Sequence, residues 1–163
     1  MAQIKNLLFD FGGVIVSLNK QVALDRFTAI GFPNIEEYLG EFRQKGIFLD
    51  YEEGKINRED FVKELRRLAG NENITAEQVD YGWLGFLAGI PDYKLELLKE
   101  LRKKYNVYFL SNTNQSVIGC AFTSDFSPAE LPVNAFFDNC YLSFEIGLAT
   151  LARDIIDYIL KCS

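Results

Sequence analysis

One short run constrains this chain more than any other: Lys5-Asn6-Leu7-Leu8-Phe9-Asp10-Phe11-Gly12-Gly13-Val14-Ile15. An apolar stretch of strand length ends at an aspartate, and a glycine pair follows. Residues 4–10 therefore read as a short buried strand. A carboxylate held at the mouth of such a strand can attack phosphorus. Asp-x-Gly-Gly is also a common turn composition, so on these residues alone the favoured reading is that Asp10 closes the turn after a strand.

The rest of the chain supplies the context. Residues 20–30 read as a helix stopped by Gly31-Phe32-Pro33-Asn34, and a second helix is expected to start near Ile35. Residues 41–50 carry no clear period. Asn57 is placed to cap an amphipathic helix whose Phe61, Leu65 and Leu68 share a face. Thr75 and Gln78 have capping-box spacing ahead of Val79, Trp83, Phe86 and Leu87. A helix from Pro91-Asp92 to about Lys104 leads into a second short strand, Val107-Tyr108-Phe109-Leu110, which ends at Ser111-Asn112-Thr113-Asn114. Residues 119–138 look irregular. Cys140-Tyr141-Leu142-Ser143 suits a third strand, and Ala152 through Leu160 a last helix. Strands alternating with helices imply an α/β fold with a parallel sheet. Ligands bind such sheets beyond the carboxyl ends of the strands. Asp10 and Ser111 both fall there and should face one crevice.

Composition narrows the chemistry. The 163 residues are 48% hydrophobic and 25% charged, with a net charge of −6. That fits one globular unit, or a small core with an inserted subdomain. It disfavours a nucleic-acid or anionic-membrane surface. No apolar run reaches the roughly 18 residues of a membrane span. The N-terminus lacks a secretory pattern, so a cytoplasmic location is expected. Histidine is absent, which removes Ser-His and Cys-His nucleophiles and histidine-held zinc. Cys120, Cys140 and Cys162 show no metal spacing and read as small apolar fillers.

With these residues in hand, the chain resembles the haloacid dehalogenase-like (HAD) superfamily, in a phosphatase-like branch with a small helical cap. The first motif of that superfamily, hydrophobic-Asp-x-Asp-x-(Thr/Val), corresponds to Phe9-Asp10-Phe11-Gly12-Gly13-Val14. The second, a strand ending in Ser or Thr, corresponds to Val107 through Ser111, extended by Asn112-Thr113-Asn114. The resemblance implies a Rossmann-like core of residues 1–16 and 91–163, with about three strands, and a helical cap of residues 17–90. It implies a phosphomonoester phosphatase in which Asp10 is the nucleophile and forms an aspartyl-phosphate. Ser111 would hydrogen-bond the phosphoryl oxygens, and Asn112 would orient the substrate or the nucleophile. Gly13, Thr113 and the cap residue Lys45 would contact a small phosphorylated metabolite. Mg2+ would sit on the Asp10 carboxylate and the Gly12 carbonyl.

The match also departs from the pattern. Gly12 stands where the superfamily has a general-acid aspartate. Thr150-Leu151 stands where a third-motif lysine and proline are expected, and Lys161 lies too far along to substitute. The fourth, acidic motif would come after Ser163. These departures lead to the expectation of weak Mg2+ binding, impaired turnover and a C-terminally shortened chain. The alternative is a non-catalytic protein that only binds or dimerises. The family's first strand is central, so shortening would expose Ile4–Phe9 as an edge open to homodimer pairing. In the cap, Phe48, Tyr51, Phe61, Trp83 and Phe86 are expected to be core. Glu52-Glu53 is expected to be a solvated patch.

Overall fold

The structure is a computed structural model and describes residues 4–40, 44–123, 126–127 and 130–147. Three strands, β1 (Asn6–Asp10), β2 (Asn106–Ser111) and β3 (Asn139–Leu142), form one parallel sheet in the order β1-β2-β3. Asp10 lies opposite Leu110, and Ser111 opposite Leu142. Parallel neighbours need long crossovers. The first holds α1 (Lys20–Ala29), α2 (Ile47–Glu52), α3 (Arg58–Ala69), α4 (Ala76–Leu84) and α5 (Asp92–Arg102). The second holds α6 (Gln115–Ala121) and a 3-10 turn at Val133–Ala135, and α7 (Ser143–Ile146) follows β3. This is the α/β, Rossmann-like arrangement that the alternation of strands and helices implies.

Two apolar clusters organise the molecule. The first lies against the sheet and contains Phe11, Leu98, Val107, Phe109, Phe137 and Leu142. The Phe11 and Phe109 rings stack at 4.8 Å, and Phe137 meets Phe109 edge-on at 5.0 Å. The second lies within the helical insertion around Phe27, Phe48, Phe61 and Trp83. Phe48 is its hub, 5.0 Å from Phe61 and 5.4 Å from Trp83. Phe48, Tyr51, Phe61 and Trp83 are fully buried, as a stripe at helical spacing predicts, and Phe86 packs partly buried beside them. Each such ring contributes about 1.5–3 kcal/mol through burial.

The helix starts follow their local chemistry. Asn57 Oδ1 accepts the Asp60 N–H at 2.9 Å. Thr75 Oγ1 accepts from the Gln78 N–H while Gln78 Oε1 accepts from the Thr75 N–H, a complete capping box. Three segments differ from expectation. Ile35–Glu37 is a single 3-10 turn and not a second helix. Residues without a clear period become α2, because Phe48 and Tyr51 are drawn into the second cluster. The start of the irregular stretch belongs to α6, which Asn114 opens by accepting the Val117 N–H on Oδ1. The expected last helix, with Thr150, Lys161 and Cys162, lies outside the described residues.

The insertion joins the sheet through two chain segments lying side by side. Ser17 N–H donates to the Gly89 carbonyl, Ala88 N–H to the Ser17 carbonyl, and Asn19 N–H to the Phe86 carbonyl, at 2.8–2.9 Å. Leu18 and Leu87 form an antiparallel bridge between them. Among the described residues β1 pairs with β2 only, and Ile4 and Leu8 are exposed on it. No described helix is long and apolar enough to cross a membrane.

Candidate active site

Asp10 is the last residue of β1, and its exit is a tight turn. Phe11 N–H donates to the Leu110 carbonyl at 3.1 Å, which keeps the chain on β2 for one residue past Asp10. The Phe11 carbonyl then accepts from both Ile15 and Val16, and Gly13 N–H donates to the Val16 carbonyl at 2.8 Å. Gly13 has φ +77, where a side chain is strained, so glycine here suits the turn. These bonds use the Phe11 carbonyl and the Gly13 N–H, and leave the Gly12 carbonyl outside the bridge. Lys94, in the first turn of α5, clamps the same turn by donating to the Val14 and Ile15 carbonyls at 2.5 and 3.3 Å. Sequence reasoning missed Lys94, and a lysine in a helical first turn carries no signal for such a long-range contact.

Asp10 is exposed by surface area, yet protein crowds its carboxyl. Partial burial raises its pKa, and the backbone N–H groups of Phe11 and Gly12 pull it back down. Gly12 faces Leu18: a Cβ there would meet the Leu18 side chain at 3.5 Å. Position 12 thus carries no proton donor and has an apolar neighbour.

The loop after β2 brings the second group to the same edge. Ser111 is buried, with its hydroxyl only distantly engaged with the Asn112 carbonyl at 3.4 Å. Asn112 is exposed at the lip. Thr113 and Asn114 are buried, and Thr113 Oγ1 and Asn114 Nδ2 have no hydrogen-bond partner among the described residues. Thr113 N–H donates to Ser143 Oγ at 3.1 Å, and Ser143 Oγ donates to the Glu52 carbonyl at 2.6 Å. That second bond fastens the end of α2 to the start of α7. Tyr51 and Ser116 share a further hydrogen bond at 3.0 Å across the same seam.

The seam corrects one expectation: Glu52-Glu53 is not a solvated patch. Glu52 is half-buried, and burial pushes its carboxyl up to about 8, against a hydrogen bond from Gln44 and with help from the charge of Glu53. The Glu53 side chain is only 13% exposed and pairs with Lys55 at 2.7 Å. Tertiary packing is the cause. Gly54, at φ +70, lies so close against the Phe144 carbonyl that a Cβ would collide with it. The turn is therefore pressed onto α7. Lys45 stands exposed in the loop before α2, its N–H bonded to the Tyr38 carbonyl at 2.8 Å. The structure thus gathers Asp10, Gly12, Gly13, Ser111, Asn112 and Thr113 at the carboxyl edge of the sheet, and places Lys45 on the insertion. Cys140 is half-buried, and burial, then Glu145, pushes its thiol up to about 12, which suits an inert filler.

The donors at the edge are hard oxygens, a carboxylate and a carbonyl, the type magnesium prefers. Among the described residues no group of three or more acidic, cysteine or histidine side chains could enclose a metal ion. The donor set thus fits an ion held by one carboxylate, with water and a substrate phosphate completing its shell.

Comparison with known proteins adds independent findings. No family model matches the chain. D-ribitol-5-phosphate phosphatase of Bacteroides thetaiotaomicron is 40% identical over 160 residues, spanning 98% of this chain and 77% of that protein. A HAD-like family hydrolase from Porphyromonas gingivalis superposes with a TM-score of 0.92 at 39% identity, covering 99% of this chain and 77% of the other. A HAD family enzyme of Bacteroides thetaiotaomicron, solved as a magnesium complex, gives 0.87 at 38% identity over 97% of this chain and 77% of its own. The wild-type form of that enzyme has also been solved with magnesium and inorganic phosphate, with a TM-score of 0.87 at 37% identity, covering 98% of this chain and 78% of its own.

Proposed function

The chain belongs to the HAD superfamily, among its phosphatases, and from that premise we propose that it hydrolyses small phosphomonoesters through an aspartyl-phosphate on Asp10. The observation that carries this reading is the position of Asp10, at the carboxyl end of β1 and beside the Ser111 loop of β2. An ionised carboxylate needs no helper base to act as a nucleophile. Its oxygen bonds to phosphorus, the ester oxygen departs as alcohol, and water then attacks the acyl phosphate to release inorganic phosphate and restore Asp10. Ser111 and Asn112 orient the phosphoryl oxygens, and Gly13, Thr113 and Lys45 contact the substrate. Asp10 and the Gly12 carbonyl are the residues that would hold Mg2+, which when bound neutralises charge between nucleophile and phosphate.

The substrate class follows the 40% identical relative, whose substrate is D-ribitol 5-phosphate; the reading here is a small phosphorylated metabolite of that size. We read the helical insertion, residues 17–90, as a cap over the site, and the protein as cytoplasmic. Turnover is impaired in this reading, because Thr150 carries no charge where a lysine is expected and Gly12 itself offers no acid. Losing a general acid costs about 10²–10⁴-fold for a poor leaving group. The test is hydrolysis of p-nitrophenyl phosphate with Mg2+, beside Asp10→Asn. Loss of turnover in the variant supports the nucleophile, and equal rates remove it.

The β1 edge favours a second reading, a module that binds or dimerises. Its exposed Ile4 and Leu8 suit pairing with a second copy. Sedimentation velocity checks it: a monomer across the concentration range removes this reading and leaves the first untouched.

A further inference from the structure

We propose that Glu52 is the proton donor for the leaving alcohol, supplying from the helical insertion the acid that position 12 lacks. The proposal rests on the phosphatase reading and adds a residue to it. The first support is place. Ser143 ties the Glu52 backbone to the Thr113 loop, and Gly54 is pressed on the start of α7. Glu52 therefore sits over the carboxyl ends of β2 and β3, at the same edge of the sheet as Asp10. Parallel strands lie about 4.8 Å apart, so the ends of β1 and β3 are separated by about 10 Å. A nucleophile attacks from about 3–3.5 Å, and an acid reaches its oxygen at about 2.6–3.2 Å. Residues seated at those two strand ends are close enough for their carboxyls to flank one phosphoryl group.

The second support is the polar inventory of the seam. Gln44 Oε1 and Thr113 Oγ1 are buried with no hydrogen-bond partner among the described residues. Buried polar atoms are normally paired, so unmatched ones on the amide that bonds the Glu52 carboxyl and on the loop tied to its backbone need a reason. A hydroxylated leaving group entering between α2 and the Thr113 loop would match them. The third support is the state of the carboxyl. Burial holds it neutral at pH 7. Among the described residues, the charge it feels is that of Glu53, which is paired with Lys55. Gln44 from the preceding loop is neutral, and α7 and the β2 loop present the Ser143 and Thr113 hydroxyls. Glu145 of α7 bears on Cys140 instead.

The step balances. As the Asp10 oxygen bonds to phosphorus, the ester P–O bond breaks, and the departing oxygen takes the proton of Glu52 to leave as alcohol. Glu52, now a carboxylate, accepts a proton from the water that attacks the acyl phosphate. Phosphate departs, and both carboxyl groups return to their starting forms.

The experiment compares wild type, Glu52→Gln and Asp10→Asn with Mg2+ from pH 5.5 to 9.5. The substrates are D-ribitol 5-phosphate and glycerol 3-phosphate, whose leaving groups need a proton, and p-nitrophenyl phosphate, whose leaving group does not. Glu52→Gln is expected to lower kcat about 100-fold on the alkyl esters and less than about 3-fold on the aryl ester. The alkaline fall of wild-type kcat near pH 8 should vanish in this variant. Equal losses on both ester types, or an alkaline limb that persists, overturn the proposal. So does a wild type that hydrolyses only the aryl ester. Equal rates for wild type and Asp10→Asn overturn the phosphatase reading, and this one with it. A readout without turnover is the Glu52 carboxyl carbon resonance, assigned by its loss in Glu52→Gln. A carboxyl already ionised at pH 6 overturns the proposal, and one still protonated at pH 7 supports it.

Discussion

Asp10 ends a strand and Glu52 ends a helix, and the two ends treat a carboxyl differently. Burial raises both. At the strand end, the turn offers the Phe11 and Gly12 N–H groups, which favour the anion. At the helix end the free backbone groups are carbonyls, which disfavour an anion, and Glu53 adds a like charge. Among the described residues, Gln44 opposes the shift through its hydrogen bond. The same residue chemistry therefore yields a carboxylate suited to attack at one end and a carboxylic acid suited to donate at the other.

The comparison can be broken in stages. The largest effect is expected at the strand end: Asp10→Asn should lower kcat about 10³-fold or more, read on p-nitrophenyl phosphate. Next is the pH dependence of stability at the helix end. The folded pKa of Glu52, about 8, lies above its ordinary 4.5. Its burial thus leaves stability intact below about pH 4.5 and erodes it as pH rises toward 8, by at most about 5 kcal/mol. Glu52→Gln should be more stable than wild type at pH 9 and equal to it near pH 4, measured by urea unfolding. Gly54→Ala should cost about 2 kcal/mol, from positive φ and collision with the Phe144 carbonyl. It should also loosen the seam, seen as faster amide exchange at Thr113. The smallest effect is a control away from both ends. Thr75→Ala removes a cap for about 1 kcal/mol and should leave the alkyl-to-aryl rate ratio unchanged.

The sequence revealed the strand end far better than the helix end. Asp10 lies in a local pattern: an apolar run, an aspartate, then glycines for the turn. The caps at Asn57 and Thr75 were legible for the same reason, since partners three residues apart are visible in a string. Glu52 sits in an acidic pair after a segment with no clear period. Its burial depends on Ser143, 91 residues further along the chain. Charge in a short acidic pair usually signals water, and here a distant helix start displaces that water. The Asn114 cap of α6 lay inside a run that reads as a polar loop, so a helix signal was present but outweighed.

The paired segments at Ser17 and Gly89 have a consequence for how such a protein can change. The chain leaves the sheet and returns to it through strands that lie within about 5 Å of each other. The sheet registers the helical insertion through that narrow neck, the seam at α7 and the packing of α4 and Tyr51 on α6. An insertion of another length, or with another number of helices, could enter and leave through the same neck without shifting the register of β1 against β2. Asp10 would keep its place at the end of β1 while the insertion was exchanged.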